Sequence, residues 1–133
     1  MIITRETDYA LRILRALKDG TKKSLPTICE REHVPKQFGY KILKKLSTAN
    51  LVEIRRGKDG GYILTADLGK LSIYDIVELM ESGTPVTACV NDEYTCTYRK
   101  EHNGHCHFHN AMRELQDSID EKLKSITLLD MVK

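Results

Sequence analysis

Tryptophan is absent from this sequence, and tyrosine and phenylalanine are few; aromatic residues make up 6% of the chain. That scarcity fits a mostly helical build. No stretch approaches the roughly 20 consecutive apolar residues a membrane span needs. Arg5 and Glu6 bring charge before a secretory apolar run can form. The expectation is a cytoplasmic protein with no membrane partner. Thiols stay reduced there, so its four Cys are read as ligands, sensors or core fillers rather than disulfides. Also missing are a Cys-x-x-Cys pair, a phosphate-binding glycine loop after a strand, internal repeats and low-complexity tracts. These absences argue against a thiol oxidoreductase or any other enzyme.

What is present is an ordinary globular composition with a lopsided charge. The 133 residues are 41% hydrophobic and 30% charged, with a net charge of +2. Residues 1–70 hold 15 Lys/Arg against 8 Asp/Glu, a net +7, whereas residues 71–133 hold 6 against 11, a net −5. A basic half joined to an acidic half suggests an anionic partner for the first half only.

Thr4 is placed to cap a helix to about Lys18, with Ala10, Ile13, Leu14 and Leu17 on one face. Ser24 caps a short second helix that turns Leu25 and Ile28 inward beside Cys29. Val34-Pro35 breaks the chain, because the residue before proline disfavours the helical region. A third helix is expected from Lys36 to Ala49, with Gly39, Ile42, Leu43 and Leu46 inward. Asn50 leaves it in a left-handed conformation. Two strand-like runs, Leu51 to Arg56 and Tyr62 to Thr65, flank the glycine-rich turn Gly57-Lys58-Asp59-Gly60-Gly61. Ser72 caps a fourth helix over Leu71–Met80, lined by Ile73, Ile76, Val77 and Met80. Ser82-Gly83-Thr84-Pro85 marks a boundary. Residues 86 to about 109 show no clear period. A final long helix runs from about Asn110 to Ile126, and Thr127 caps a last turn over Leu128–Val132. Met112, Leu115, Ile119, Leu123 and Ile126 step by 3 or 4 along the long helix, a narrow seam of the coiled-coil type that suits a homodimer.

This order of elements predicts a mainly α fold: a winged helix-turn-helix with a two-stranded wing plus a long C-terminal dimerisation helix. The expected divisions are a DNA-binding domain over 1–82, a Cys/His metal-binding loop over 83–109, and the dimerisation helix with its C-terminal turn over 110–133. An α-helix fits the major groove, where its outward side chains reach base edges. The outward face of the third helix offers Lys36, Gln37, Tyr40, Lys41 and Lys44, a set able to meet guanine, adenine and phosphate. The turn region adds Arg55, Arg56 and Lys58 for phosphates or a minor groove. The expected partner is double-stranded DNA.

Cys89, Cys96 and Cys106 fall at a Cys-x6-Cys-x9-Cys spacing among His102, His105, His107 and His109. Three thiolates are one short of the four ligands an iron–sulfur cluster usually takes, and three Cys with one His make a good tetrahedral zinc set. From the residues alone, zinc and a cluster stand level, with redox-active thiols a further reading. His105 and His107 are candidates for a fourth ligand. Cys29 is read as a core cysteine.

Thr7-Asp8-Tyr9-Ala10-Leu11-Arg12, Ile42-Leu43-Lys44-Lys45-Leu46, Asn50-Leu51-Val52, Arg56-Gly57-Lys58-Asp59-Gly60-Gly61-Tyr62 and Leu71-Ser72-Ile73-Tyr74-Asp75-Ile76-Val77 resemble the Rrf-two family of transcription regulators (BadM-, IscR- and NsrR-like). The resemblance spans essentially the whole chain. It implies a dimer whose long C-terminal helices cross, a repressor or activator of transcription, and an iron–sulfur cluster ([2Fe-2S] or [4Fe-4S]) held by three Cys before the long helix. It thereby favours a cluster over zinc at Cys89, Cys96 and Cys106. The Thr-Asp-Tyr segment resembles the nitric-oxide-responsive NsrR branch, which implies Asp8 of the other subunit as the fourth ligand. Two residues depart from the family pattern: Gly39 stands where a larger apolar residue is usual, so close packing is expected there, and Pro35 replaces a capping residue.

Overall fold

A computed structural model describes residues 3–81 and 85–133. The boundary expected at Ser82-Gly83-Thr84 lies outside the described residues. The first helix, α1 (Arg5–Ala16), begins where Thr4 Oγ1 accepts the backbone N–H of Thr7 at 3.3 Å. Such a bond satisfies one of the donors that every helix start leaves open. Ser24 does the same for α2 (Leu25–Glu32) through Thr27. His33 follows in the left-handed region at φ 55°, and α3 spans Lys36–Thr48. Pro35 sets the entry angle to α3 without a side-chain cap. Asn50 leaves α3 at φ 62°, as its type allows.

Helices α1, α2 and α3 enclose one apolar core. Ala10, Ile13, Leu17, Ile28, Ile42, Leu43 and Leu46 are fully buried. The close packing expected around Gly39 is with α2: a Cβ there would sit 2.6 Å from Cys29 Sγ and 3.1 Å from Leu25 Cδ1. The missing side chain lets α2 and α3 approach, and the small buried Cys29 fills the other side of the contact.

The wing is the antiparallel pair β1 (Val52–Arg55) and β2 (Gly61–Leu64), in the register Val52↔Leu64 to Arg55↔Gly61. A third segment joins it. Lys23 and Tyr62 exchange both backbone hydrogen bonds, at 3.0 and 2.8 Å. That approach requires glycine at position 61, where a Cβ would lie 2.7 Å from the Lys23 carbonyl oxygen.

Helix α4 (Ile73–Glu81) starts in a reciprocal capping arrangement: Ser72 Oγ accepts the Asp75 N–H at 3.3 Å and the Asp75 carboxylate accepts the Ser72 N–H at 2.7 Å. Residues 88–90 form a 3-10 turn and α5 covers Thr97–Glu101, a short helix not expected from the sequence. Helix α6 (His107–Ser125) begins three residues before the expected start, because the Cys106 sulfur accepts the His109 N–H at 3.4 Å and serves as its cap. The chain then returns to the first core. Ile73 N–H donates to Ile126 and Leu128 N–H to Leu71. α7 (Leu128–Met131), capped by Thr127, buries Leu128. Val132 is buried after it, and its carbonyl accepts Lys18 Nζ at 2.7 Å.

Candidate functional site

The helical period divides α3 into two faces. Gly39, Ile42, Leu43 and Leu46 are buried, while Lys36, Gln37, Tyr40, Lys41 and Lys44 are exposed, Tyr40 at 61%. Arg55, Arg56 and Lys58 are likewise exposed on the wing. Its tip turns through Gly57 at φ 105°, in the region that favours glycine. Among the described residues, Lys36, Lys44, Arg56 and Lys58 have no acidic partner; Arg55 lies 3.7 Å from Glu53. Lys41 differs. Its ammonium is exposed but paired at 3.0 Å with Glu6 of α1, a carboxylate that also reaches Lys45 at 3.4 Å. The two lysines hold the Glu6 carboxyl below its ordinary value, Lys41 most strongly.

The three cysteines of the second half line one hollow of about 590 Å³. None is in a disulfide. Cys89 stands in the 3-10 turn, with its sulfur 3.1 Å from Thr87 Oγ1. Cys96 precedes α5, and Cys106 sits at the N-terminus of α6. That helix end presents N–H groups and a positive dipole end, which favour negative charge. Tyr94, Tyr98 and Phe108 form exposed apolar walls. Of the histidines, His107 and His109 line the hollow and His105 does not. Among the described residues, His109 Nδ1 is buried with no hydrogen-bond partner, which leaves a ring nitrogen open to a hydrogen-bonding group or a metal.

The donor set, thiols with imidazole, is chemically that of zinc or an iron–sulfur group. Among the described residues, no three His, Cys, Asp or Glu side chains are gathered closely enough to hold one ion. Asp8 is not brought to these cysteines within the chain. It accepts Arg12 Nε at 3.1 Å and lines a separate cleft between α1 and α7.

Helix α6 carries the expected apolar seam, but not all of it is free. Leu123 and Ile126 pack against the chain's own core. Leu115 is 46% and Phe108 63% exposed, with Met112 between them and Ile119 one turn on, both half-buried. This remaining stripe begins at the wall of the cysteine hollow.

A family model described as "Iron-dependent Transcriptional regulator", Rrf2, matches residues 3–133. The chain belongs to the Rrf2 family. Rrf2 proteins are transcriptional regulators, not enzymes. Protein aau3 of Rhizobium meliloti is 31% identical over the whole chain and 86% of its own length. The HTH-type transcriptional repressor NsrR of Streptomyces coelicolor is 33% identical over 99% of the chain and 88% of its own length. Among solved structures, T. potens IscR superposes with a TM-score of 0.70 at 24% identity, covering 97% of this chain and 84% of that one. CymR, the global cysteine regulator of B. subtilis, does so with 0.71 at 23%, covering 98% and 95%. These likenesses carry the winged-helix fold expected from the sequence.

Sequence reasoning overlooked Glu6 and Lys45, and ranked His105 and His107 ahead of His109. A carboxylate in the first turn of a helix reads as a dipole partner; only the packing of α1 on α3 turns Glu6 toward two lysines. The start of α6 at His107 puts the His109 ring at the hollow.

Proposed function

We propose that this Rrf2-family chain is a homodimeric DNA-binding repressor that senses redox, nitric oxide or iron status through an iron–sulfur cluster. Cys89, Cys96 and Cys106 hold the cluster, of [2Fe-2S] or [4Fe-4S] type, and Asp8 of the partner subunit completes it. Helix α3 enters the major groove with Lys36, Gln37, Tyr40, Lys41 and Lys44, and Arg55, Arg56 and Lys58 of the wing meet the flanking backbone. The observation that carries the sensing role is the gathering of three free cysteines, from position 89 to 106, around one hollow at the start of the long helix. The repressing role follows the name of the Streptomyces relative.

The free stripe Phe108, Met112, Leu115 and Ile119 is the seam for the second copy. A partner seated on it lies beside the hollow, which supports a ligand supplied from its first helix. Held by Cys89, Cys96 and Cys106, a cluster would supply iron chemistry sensitive to oxidants, nitric oxide and iron supply. Within the chain, Asp8 is anchored by Arg12, and Tyr9 beside it packs edge-on against Phe38 of α3, centroids 5.5 Å apart. With Asp8 as a ligand in the partner's hollow, Arg12 and Tyr9 would couple that position to the recognition helix, and so to the spacing of the two reading heads.

Anaerobic protein assayed for iron, sulfide and zinc, with its visible absorption, tests this reading. Iron and sulfide together are expected, with both abolished in Cys96→Ala. Asp8→Ala keeps part of the cluster with altered stability and altered DNA response. Stoichiometric zinc without sulfide would replace the sensor by a structural zinc site, with His109 or His107 as fourth ligand. Neither metal nor sulfide would leave redox-active thiols.

A further inference from the structure

Resting on the DNA-binding reading, the Glu6 pair points to a positioning residue on the DNA face that is not itself a DNA contact. Glu6 Oε1 lies 3.0 Å from Lys41 Nζ, and Glu6 Oε2 lies 3.4 Å from Lys45 Nζ. Lys45 also donates to the Met80 carbonyl at the end of α4, at 3.4 Å, and is thus held from two sides. Among the described residues Lys41 has no such second anchor: its side chain is 63% exposed, against 19% for Glu6. The carboxylate is therefore the fixed member of the pair and the lysine the movable one. Glu6 is fixed because α1 is: Thr4, its cap, donates to the Glu81 carboxylate of α4, and Thr7 is fully buried.

Lysine is a flexible point charge on a four-carbon stem, with three donors that follow the strongest local acceptor. On bare protein that acceptor is Glu6, and on DNA a phosphate competes for the same ammonium. We propose that Glu6 tethers Lys41 to α1, so that this lysine is withheld from the phosphates of non-specific duplex and kept along the flank of α3, where it is available to a base edge. Glu6 thereby lowers non-specific affinity and raises discrimination.

The test measures binding of a labelled random-sequence duplex over a salt series, for the native protein and for Glu6→Gln, Glu6→Asp, Lys41→Ala and the Glu6→Gln/Lys41→Ala double variant, with folding checked by circular dichroism. Freeing one lysine for one phosphate steepens the dependence of log affinity on log salt by about 0.9. At fixed salt, Glu6→Gln is expected to bind about twofold to fivefold tighter, the range of an exposed ion pair released. Glu6→Asp keeps the charge but shortens the reach, and is expected to steepen the slope in the same direction. In the Lys41→Ala background, Glu6→Gln should change neither slope nor affinity. A Glu6→Gln slope equal to native overturns the tether while leaving the DNA reading intact. So does a gain that survives in Lys41→Ala, or one seen in Glu6→Gln but not in Glu6→Asp, since charge alone would then act. Binding by native protein that ignores salt overturns both.

Discussion

Between α1 and α4 the core residues Ile13, Leu17, Ile28, Ile42, Leu46 and Ile76 are wholly inaccessible to solvent. Between residues 85 and 106, Val90 is the single buried side chain among the described residues. The first region is held by its own packing, and its exposed basic face rides on that scaffold. The second carries the cysteines and two large aromatic rings, Tyr94 and Tyr98, at its surface, with little apolar area to offset the entropy of ordering it. A reading head has to present fixed side chains to a fixed groove. A sensor has to respond to events of a few kcal/mol, and a loop with few buried contacts is where such events have effect. On the proposed reading, the loop takes its order from a group bound in the hollow and from a second copy on α6.

The largest effect is expected on α6, which follows the second region, where the proposed second copy docks. Leu115→Glu with Ile119→Glu places unpaired charges in the seam, costing about 3–5 kcal/mol of assembly free energy. Sedimentation should show a monomer that keeps its helical circular dichroism; a stable dimer would move the interface elsewhere. Next comes a direct contrast of the two regions. Leu43→Ala should lower unfolding free energy by about 2–5 kcal/mol, and Val90→Ala by only about 1 kcal/mol, read from urea melts. Equal losses would mean that the loop is as firmly packed as the core.

A smaller effect sharpens the account of the first region. Gly39→Ala brings a methyl group against Cys29 and Leu25, and overpacking should outweigh the gain in helix propensity by about 1–2 kcal/mol. Cys29→Ala on that background should recover most of the loss, because it removes the sulfur that lies 2.6 Å from the added carbon. Lys58→Ala should weaken specific and random duplex alike and flatten the salt slope by about 0.9. Gln37→Ala should lower discrimination more than affinity. Last is the acid side of the stability profile. The Glu6 carboxyl is held below its ordinary value of 4.5, so its contribution is present above that value and is lost as pH falls through the lower folded value. Glu6→Gln should remove this modest acid-side loss of stability, seen in melts from pH 6 downward.

Much of the first region was legible because its signals are local. Thr4, Ser24, Ser72 and Thr127 all cap the helices they were expected to cap. The inward set of α3 matches its helical period, and Asn50 has the left-handed conformation its type permits. A cap and a period are encoded within a few residues, so the chain declares them without its neighbours. α5 escaped notice because Thr97-Tyr98-Arg99-Lys100-Glu101 has no apolar period. The start of α6 was missed because a cysteine sulfur, not a hydroxyl or carboxylate, caps it. Other features belong to no single segment. Leu123 and Ile126 read as one seam with Met112, Leu115 and Ile119, yet the return of α7 to α1 draws that end of the seam into the chain's own core. Glu6 faces Lys41 and Lys45 across two helices, and residues 89, 96 and 106 line one hollow only after α5 and the start of α6 fold around it. By itself the sequence determined the helices other than α5, the wing and the chemistry available. Which charges neutralise each other, which apolar residues remain for a partner and which donors face one space were decided by tertiary packing, because each depends on distances between residues far apart in the chain.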